Sequence, residues 1–188
     1  MGKFAERPNR AVFLDRDGVL NEVVMRGNTP CPPSGVDDLV LTPGAVDGCE
    51  RLKNAGFVLV VVTNQPDVAR GTRNRETVEA INRELRRRLP LDAVHVCFHD
   101  DGDQCRCRKP APGMLLDAAA ELDIDLTESF MVGDRWRDID AGRRAGCRTL
   151  LVDRGYDEGI GSEPDHRTSS FAEAAVWIVA HQNREVTG

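Results

Sequence analysis

The decisive stretch of this chain is Val12-Phe13-Leu14-Asp15-Arg16-Asp17-Gly18-Val19-Leu20-Asn21. Its apolar residues precede a glycine-containing turn, a pattern that predicts a buried strand ending in a loop. Residues two apart in an extended chain point to the same side, so we expect Asp15 and Asp17 to face one pocket. Because neighbouring carboxylates repel each other, such a pocket needs a cation or a shared proton. An Asp-x-Asp pair is also common in polar turns, so other segments have to support a chemical role.

Length and composition indicate a single globular domain. The chain has 188 residues, of which 40% are hydrophobic and 30% charged, and its formal net charge is −6. We therefore predict one domain over residues 1–188, with a core at about 11–153 and a tail and helix at 154–188. The negative charge argues against a nucleic-acid or anionic-membrane surface, although a few local cations can still hold a phosphate.

The sequence also allows predictions about the cellular compartment and about the partners of the protein. Residues 1–10 are polar and lack the apolar core of a signal peptide. No apolar run approaches the roughly 18 residues that a membrane helix requires. We therefore expect a cytoplasmic protein, which we predict to be a monomer and which binds neither a nucleic acid nor a membrane; the small phosphorylated substrate that we also expect is implied only by the resemblance described below.

Short apolar runs alternate with helical patterns along the chain. The expected strands are residues 11–15, 57–62, 93–98, 129–132 and 147–152. The expected helices are residues 44–55, 74–88, 112–123, 134–145 and 171–182. This alternation predicts an α/β fold with a Rossmann-like, mainly parallel sheet flanked by helices. Residues 22–41 and 153–168 lack a regular period, and we interpret the first as a proline-rich flap that forms a minimal cap and the second as a surface loop.

Polar residues follow the predicted strands at the sheet edge where such folds bind ligands. They are Thr63-Asn64-Gln65 after the second strand, and Gly133-Asp134 with Asp138 after the fourth. A hydroxyl and nearby backbone N–H groups can hold a phosphoryl oxygen, although asparagine is also a common turn residue. Asp134 can cap a helix, or it can join Asp15 and a backbone carbonyl near Asp17 around Mg²⁺.

Three cysteines and one histidine cluster within eleven positions, at Cys97, His99, Cys105 and Cys107. Three thiolates and an imidazole satisfy tetrahedral zinc, and four protein ligands leave no open position for chemistry. We therefore predict a zinc-binding loop with a structural ion; a chance grouping of thiols or a redox pair is the alternative. Arg108 and Lys109 follow directly and can contact a phosphate, although they can also balance nearby aspartates.

Taken together, these motifs resemble the haloacid-dehalogenase-like (HAD) superfamily of aspartate-nucleophile phosphatases. The resemblance covers residues 11 to about 153 and rests on Asp15-Arg16-Asp17-Gly18, Thr63-Asn64-Gln65, Arg108-Lys109-Pro110 and Gly133-Asp134 with Asp138, in the superfamily's order. The Cys/His cluster is similar to that of the branch containing D-glycero-D-manno-heptose 1,7-bisphosphate phosphatases and the histidinol-phosphatase domain. Asp17 also argues for phosphate chemistry, since the dehalogenases of the superfamily lack this second acid.

The resemblance implies a role for each matching residue. Asp15 would attack phosphorus and form an aspartyl-phosphate. Asp17 would protonate the leaving alkoxide and then activate water. Thr63 and Lys109 would hold the transferring phosphoryl oxygens, while Asp138 would orient Lys109 or a metal-bound water.

The resemblance also implies cofactors and a substrate. Mg²⁺ would be held by Asp15, the Asp17 backbone carbonyl and Asp134, and the substrate by Asn64, Gln65, Arg108 and Arg135. The segment Ala69-Arg70-Gly71 resembles the heptose enzymes, whereas the five-residue gap between the pairs of zinc ligands is similar to the histidinol-phosphatase domain. We expect hydrolysis of the 7-phosphate of heptose 1,7-bisphosphate; histidinol phosphate or another small sugar phosphate is the alternative. A non-catalytic zinc-binding module is disfavoured, because every expected catalytic residue is present.

Overall fold

The computed structural model describes residues 8–27, 29–156 and 161–182, so parts of the predicted domain 1–188 lie outside the described residues. The strands are β1 (Ala11–Leu14), β2 (Val24–Arg26), β3 (Thr29–Cys31), β4 (Val58–Asn64), β5 (Ala93–Cys97), β6 (Phe130–Gly133), β7 (Arg148–Val152) and β8 (His166–Thr168). The helices are α1 (Ala45–Asn54), α2 (Arg75–Arg88), α3 (Gly113–Leu122), α4 (Trp136–Ala145) and α5 (Phe171–His181). Over these described ranges, no helix has the length and apolar character needed to cross a bilayer.

Six strands form one parallel sheet in the order β5-β4-β1-β6-β7-β8. β1 lies inside this sheet, with Phe13 opposite Val60 of β4 and Met131 of β6. All four residues of β1 are buried, as expected for a strand covered by helices on both faces. Because β1, β4 and β6 run in the same direction, the polar residues that follow them meet at one edge of the sheet.

Side-chain alternation along β1 divides the core between the two faces of the sheet. Val12 and Leu14 pack with buried apolar residues of α1, α2 and α5. Ala11 and Phe13 pack on the other face with residues of α3 and α4. The predicted α/β fold, with a mainly parallel sheet between two layers of helices, is confirmed.

The segment 153–168, predicted to be a surface loop, contains the short strand β8, so that part of the prediction is wrong. β8 extends the sheet by pairing with β7. A strand of three residues is too short to show a hydrophobic period in the sequence. Its position is set instead by Asp165, whose carboxylate accepts hydrogen bonds from the N–H and the hydroxyl of Thr149 at 2.7 and 2.8 Å.

The proline-rich flap, residues 22–41, contains the antiparallel hairpin of β2 and β3. Arg73, in the loop after β4, donates hydrogen bonds to the carbonyl oxygens of Pro32 and Pro33. The flap is therefore attached to the edge of the sheet where the polar residues gather, as the sequence predicts.

Gly142 tests the packing of α4 against the sheet. An added Cβ there would lie 2.6 Å from Met131 Cβ in β6 and 2.8 Å from Thr149 Cγ2 in β7. Because these contacts are too close, we expect Gly142→Ala to lower the free energy of unfolding by about 1–3 kcal/mol, measured by urea denaturation. Gly35→Ala is the control, since nothing lies within 4 Å of its added Cβ. Equal stability of the two variants would contradict this packing.

Candidate active site

A buried lysine joins two carboxylates at the carboxyl edge of the sheet. Lys109 Nζ lies 2.7 Å from Asp15 Oδ1 and 2.6 Å from Asp138 Oδ1. It also donates a hydrogen bond to the backbone carbonyl of Val62 at 2.7 Å. Burial alone would lower the pKa of Lys109, but the charges of Asp138 and Asp15 raise it above its ordinary value. Lys109 is therefore a fixed positive charge between the two acids.

Asp15 follows β1 directly, and its backbone position is fixed by the sheet. Its N–H donates to the carbonyl oxygen of Val132 in β6 at 2.9 Å. Burial raises the pKa of Asp15 to about 6, opposed by the charge of Lys109 and reinforced by Asp138 and Asp17. A cation beside this carboxyl would favour its ionised form, which is the form that can act as a nucleophile.

The Asp17 carboxylate is held by three neighbouring side chains. Arg16 donates to both of its oxygens, with a closest contact of 2.8 Å. Asn21 and Gln65 donate at 3.0 and 2.8 Å. Burial acts to raise the pKa of Asp17, but the Arg16 charge and these hydrogen bonds together keep it below its usual range. The carboxylate is thus ionised and fixed in orientation.

Three other carboxylates form a candidate cation site. Ligand oxygens of Asp15, Asp134 and Asp138 lie within 4.8 Å of one another, and the Asp17 carboxylate is outside this group. Asp134 is buried, and neither of its oxygens accepts a hydrogen bond from any residue that the structure describes. Burial and the charges of Asp15 and Asp138 raise the pKa of Asp134 well above its ordinary value. Such orphaned oxygens fit a hard cation such as Mg²⁺, which takes oxygen ligands.

Gly18 brings the turn after Asp17 close to this cation site. Its φ is +91°, and an added Cβ would lie 2.0 Å from Asp134 Oδ2, so only glycine permits this approach. Arg154 holds the turn by donating to the Gly18 carbonyl at 2.9 and 2.7 Å. The backbone that carries the Asp17 carbonyl is therefore packed beside Asp134, as the predicted set of magnesium ligands requires.

The residues that end β4 connect the lysine to Asp17. Thr63 is buried, and its hydroxyl accepts a hydrogen bond at 2.9 Å from Gln65 Nε2, which also donates to Asp17. Asn64 donates to the carbonyl oxygen of Lys109 at 3.0 Å and accepts from its N–H at 3.1 Å. Asn64 therefore fixes the backbone of Lys109. It also lines the cleft, so its contact with substrate stays a prediction.

Asp134 does not cap α4, which was the alternative interpretation of this residue. The N-cap residue of this helix is Arg135, whose N–H donates to Asp138 Oδ2 at 3.0 Å. Asp138 thus holds the helix start and Lys109 at the same time. The Arg135 guanidinium lies over the ring of Tyr156, 5.1 Å from its centroid, and lines the cleft above the acids.

The predicted zinc ligands lie together in what we call the Cys/His loop (residues 97–107). Contacting pairs among Sγ of Cys97, Cys105 and Cys107 and Nδ1 of His99 are 3.2 to 3.7 Å apart. Bonds of about 2.3 Å give a tetrahedron with edges of about 3.8 Å, so the four donors fit zinc. Burial acts to raise the pKa of Cys105, but hydrogen bonds from Cys107 and from backbone N–H groups outweigh it and lower the pKa to about 7. At Cys105 this shift favours the thiolate that zinc binds, whereas burial raises the pKa of Cys97 and of Cys107.

Arginines from three segments line a cleft of about 310 Å³ above the acids. Arg70 donates to Asp100 of the Cys/His loop at 2.6 Å. Asp101 of the same loop accepts from Arg108 at 2.8 Å and from Arg137 at 3.2 Å. Arg108 thus pairs with a loop aspartate, as the alternative interpretation of the sequence proposed, and still lines the cleft. The flap contributes Pro30, Cys31 and Pro32 to the same cleft.

Arg16, Arg137 and Asn82 belong to this site but were not predicted from the sequence. Arg16 lies between the two motif aspartates, and Arg137 follows Asp134 by three positions at the start of α4, so proximity to the motifs was an available signal. Asn82 accepts a hydrogen bond from Arg16 across 66 positions of sequence. Its only signal is a polar residue within the apolar face of α2.

Comparisons with known proteins agree with this geometry. A family model described as HAD-hydrolase-like matches residues 106–177. A D-glycero-D-manno-heptose-1,7-bisphosphate 7-phosphatase from Thermosynechococcus vestitus is 36% identical over an alignment that covers 93% of this chain and 97% of that protein. The D-glycero-beta-D-manno-heptose-1,7-bisphosphate 7-phosphatase of Escherichia coli K12 is 37% identical over an alignment that covers 77% of this chain and 78% of that protein.

A solved structure is similar over nearly the whole chain. The D,D-heptose 1,7-bisphosphate phosphatase from B. bronchiseptica, complexed with magnesium and phosphate, gives a TM-score of 0.78 at 31% identity and covers 91% of this chain and 98% of that one. The fold and the site are those of a HAD-like hydrolase. Within that class, the chain belongs to the phosphatase family that includes the D-glycero-D-manno-heptose-1,7-bisphosphate 7-phosphatases.

The orphaned Asp134 carboxylate predicts how pH and magnesium affect stability. The pKa of Asp15 is raised from 3.8 to about 6 and that of Asp134 well above 3.8, so the folded protein binds these protons more tightly than the unfolded chain does. The stability of the metal-free protein should therefore fall as the pH rises from about 4 through about 6. Because Mg²⁺ needs the ionised acids, we expect it to raise the melting temperature more at about pH 7.5 than at about pH 5.

The matched variants are Asp134→Asn and Asp117→Asn. Asp134→Asn removes a buried charge that accepts no hydrogen bond from the described residues and has only a long ion-pair contact of 3.9 Å with Arg135. We therefore expect a higher melting temperature without metal and no response to Mg²⁺. Asp117 pairs with Arg106 at 2.8 Å at an exposed position, and its variant should respond to Mg²⁺ like the original protein. A magnesium response that survives in Asp134→Asn would refute the assignment of this ligand.

Proposed function

We propose that this protein is a Mg²⁺-dependent phosphatase that removes the 7-phosphate of D-glycero-D-manno-heptose 1,7-bisphosphate. The observation that carries the proposal is the group of Asp15, Lys109 and Asp138 in an arginine-lined cleft, with the Asp134 carboxylate next to Asp15 and Asp138. The names of the relatives at 36% and 37% identity support this substrate. A basic wall around the cleft is also suited to a substrate with a second phosphate away from the reacting one.

Asp15 and Asp17 are proposed to divide the chemistry between them. Asp15 attacks phosphorus and forms an aspartyl-phosphate while the bond to the sugar oxygen breaks, and Asp17 protonates that oxygen. Asp17 then takes a proton from the water that hydrolyses the aspartyl-phosphate. Because the pKa of Asp17 is lowered, its carboxyl group is ionised, which is the form that can accept this proton. In its role as the acid, Asp17 has to carry a proton. The negative charge of the bound phosphate favours this protonated form, because it raises the pKa of a nearby carboxyl group.

Lys109 and Thr63 are proposed to hold the transferring phosphoryl group. Lys109 already donates to Asp15, Asp138 and the Val62 carbonyl, so a phosphoryl oxygen has to share or replace one of these contacts. The Thr63 hydroxyl accepts from Gln65 and has its own proton to donate. Together the two residues can neutralise and orient the oxygens around phosphorus.

Both metals are proposed to bind at the sites described above. Mg²⁺ would be held by Asp15, Asp134 and the Asp17 backbone carbonyl, and when bound it offsets negative charge on the phosphoryl oxygens. Zinc would be held by Cys97, His99, Cys105 and Cys107 and would stiffen the Cys/His loop. The cytoplasmic location, the single domain and the monomeric state remain predictions.

Phosphate release in the presence of Mg²⁺ tests the proposed substrate. The panel comprises both anomers of heptose 1,7-bisphosphate, histidinol phosphate and simple sugar monophosphates. We expect the highest kcat/KM for a heptose bisphosphate, and we expect Asp15→Asn to abolish turnover in a protein that still folds, because it removes the nucleophile. Asp117→Asn is the active control. Preference for histidinol phosphate would overturn the substrate, and no turnover by metal-loaded protein would overturn the activity.

Removal of one zinc ligand tests the role of the Cys/His loop. The protein is expected to contain about one zinc ion per chain by elemental analysis, and Cys107→Ser should lose most of it. Because Arg108 and Asp101 depend on this loop, the variant should raise KM for the bisphosphate more than it lowers kcat. Cys147→Ala, a buried thiol in the core under α4, is the control. Unchanged KM in zinc-free Cys107→Ser would contradict this role.

A further inference from the structure

Arg16 is a fully buried charge beside a residue assigned to proton transfer. Its side chain has no exposed surface, although it lies between two aspartates that line the cleft. Nε and one terminal nitrogen donate to Asp17 at 2.8 to 3.2 Å. An unpaired buried charge is costly, so the protons on the other terminal nitrogen also need an acceptor.

Asn82 of α2 provides that acceptor. Its Oδ1 lies 3.0 Å from Arg16 NH1, and its side chain is buried. The surrounding face of the helix carries Val78, Ile81 and Leu85, where leucine would give better helix propensity than asparagine. Asn82 is not among the described residues that line the cleft, so its polar group faces Arg16 rather than substrate.

We propose that Asn82 is a positioning residue for proton transfer. It holds the Arg16 guanidinium, whose planar fork in turn fixes the Asp17 carboxyl group toward the leaving oxygen. The hydrogen bonds continue from Asp17 through Gln65 to Thr63, so α2 is connected to the end of β4. In the step concerned, the O–H bond of protonated Asp17 breaks and the proton passes to the sugar oxygen as its bond to phosphorus breaks. The inference rests on the proposed function, because it requires Asp17 to be the acid.

A comparison of leaving groups separates positioning of the acid from a merely structural role. Nitrophenolate leaves phosphorus without being protonated, whereas a sugar alkoxide needs the acid. We therefore measure the single-turnover rate of leaving-group release in Mg²⁺ for a sugar phosphate and for p-nitrophenyl phosphate. The ratio of the two rates reports how much proton donation by Asp17 contributes to the rate. General acid catalysis contributes roughly 10²–10⁴-fold, so misalignment of Asp17 should remove a measurable part of that factor.

Asn82→Leu is the principal variant. We expect it to slow the sugar phosphate about tenfold or more and p-nitrophenyl phosphate by less than about twofold. Arg16→Lys, which keeps the charge but cannot bind both neighbours as a fork, should show the same selective loss and covers the case in which Asn82→Leu does not fold. Equal slowing of both substrates, or slowing of neither, would overturn the proposal.

Two further variants serve as controls. Asn82→Asp keeps an acceptor for Arg16 and should retain the original ratio of the two rates. Ile81→Val removes one methyl group from the same buried face of α2 and should leave the ratio of the two rates unchanged. If Ile81→Val also slowed the sugar phosphate selectively, the packing of the helix, and not the contact with Arg16, would be responsible.

Asp17→Asn in the same assay distinguishes failure of this inference from failure of the proposed function. Selective loss in Asp17→Asn without selective loss in Asn82→Leu would refute the role of Asn82 alone. Equal slowing of both substrates by Asp17→Asn would refute the acid role of Asp17, and with it the proposed mechanism.

Discussion

The site depends on one buried interaction, the Lys109 ammonium held between the carboxylates of Asp15 and Asp138. A lysine that is only 2% exposed is tolerated because two opposite charges and a backbone carbonyl satisfy its three protons. Its partners come from different segments, one after β1 and one in α4. The ion pair therefore sets the distance between these segments, and the two hydrogen bonds from Asn64 to the Lys109 backbone add β4 to the same unit.

The Cys/His loop extends this unit to the entrance of the cleft. Only Arg108 separates the last thiol of the cluster, Cys107, from Lys109, which carries the buried ammonium. From the same loop, Asp100 and Asp101 hold arginines that belong to three different segments. Each exposed ion pair contributes little to stability by itself. Their value lies in placement, because a rigid loop fixes where several guanidinium groups meet a ligand.

The sequence predicted the architecture well because its signals are local. The continuous apolar run before Thr63 and the apolar run before Asp15 became neighbouring buried strands, and parallel strands bring their ends together. β8 was not predictable in this way, since its position depends on the contact of Asp165 with Thr149. In the active site, too, local sequence signals predict some positions, whereas others depend on tertiary contacts. Residue types placed Asp15, Lys109 and Asp134 near one another, but the choice of partner for an amide such as Asn64 is decided only by geometry.

Charge balance explains why these residue types occur together. Asp15, Asp17, Asp134 and Asp138 supply four carboxylates, and Lys109 and Arg16 supply two buried cations that contact them. When all four carboxylates are ionised, the remaining excess of about two negative charges matches the charge of one divalent ion. Asp134 is where this ion would help most, because its oxygens accept no hydrogen bond from the described residues and Arg135 Nε is 3.9 Å away. A phosphate dianion entering above this centre meets the arginines of the cleft wall. Under the proposed function, an acidic chain can bind an anionic substrate because four of its arginines line the cleft, whereas Asp15, Asp134 and Asp138 surround the candidate cation site.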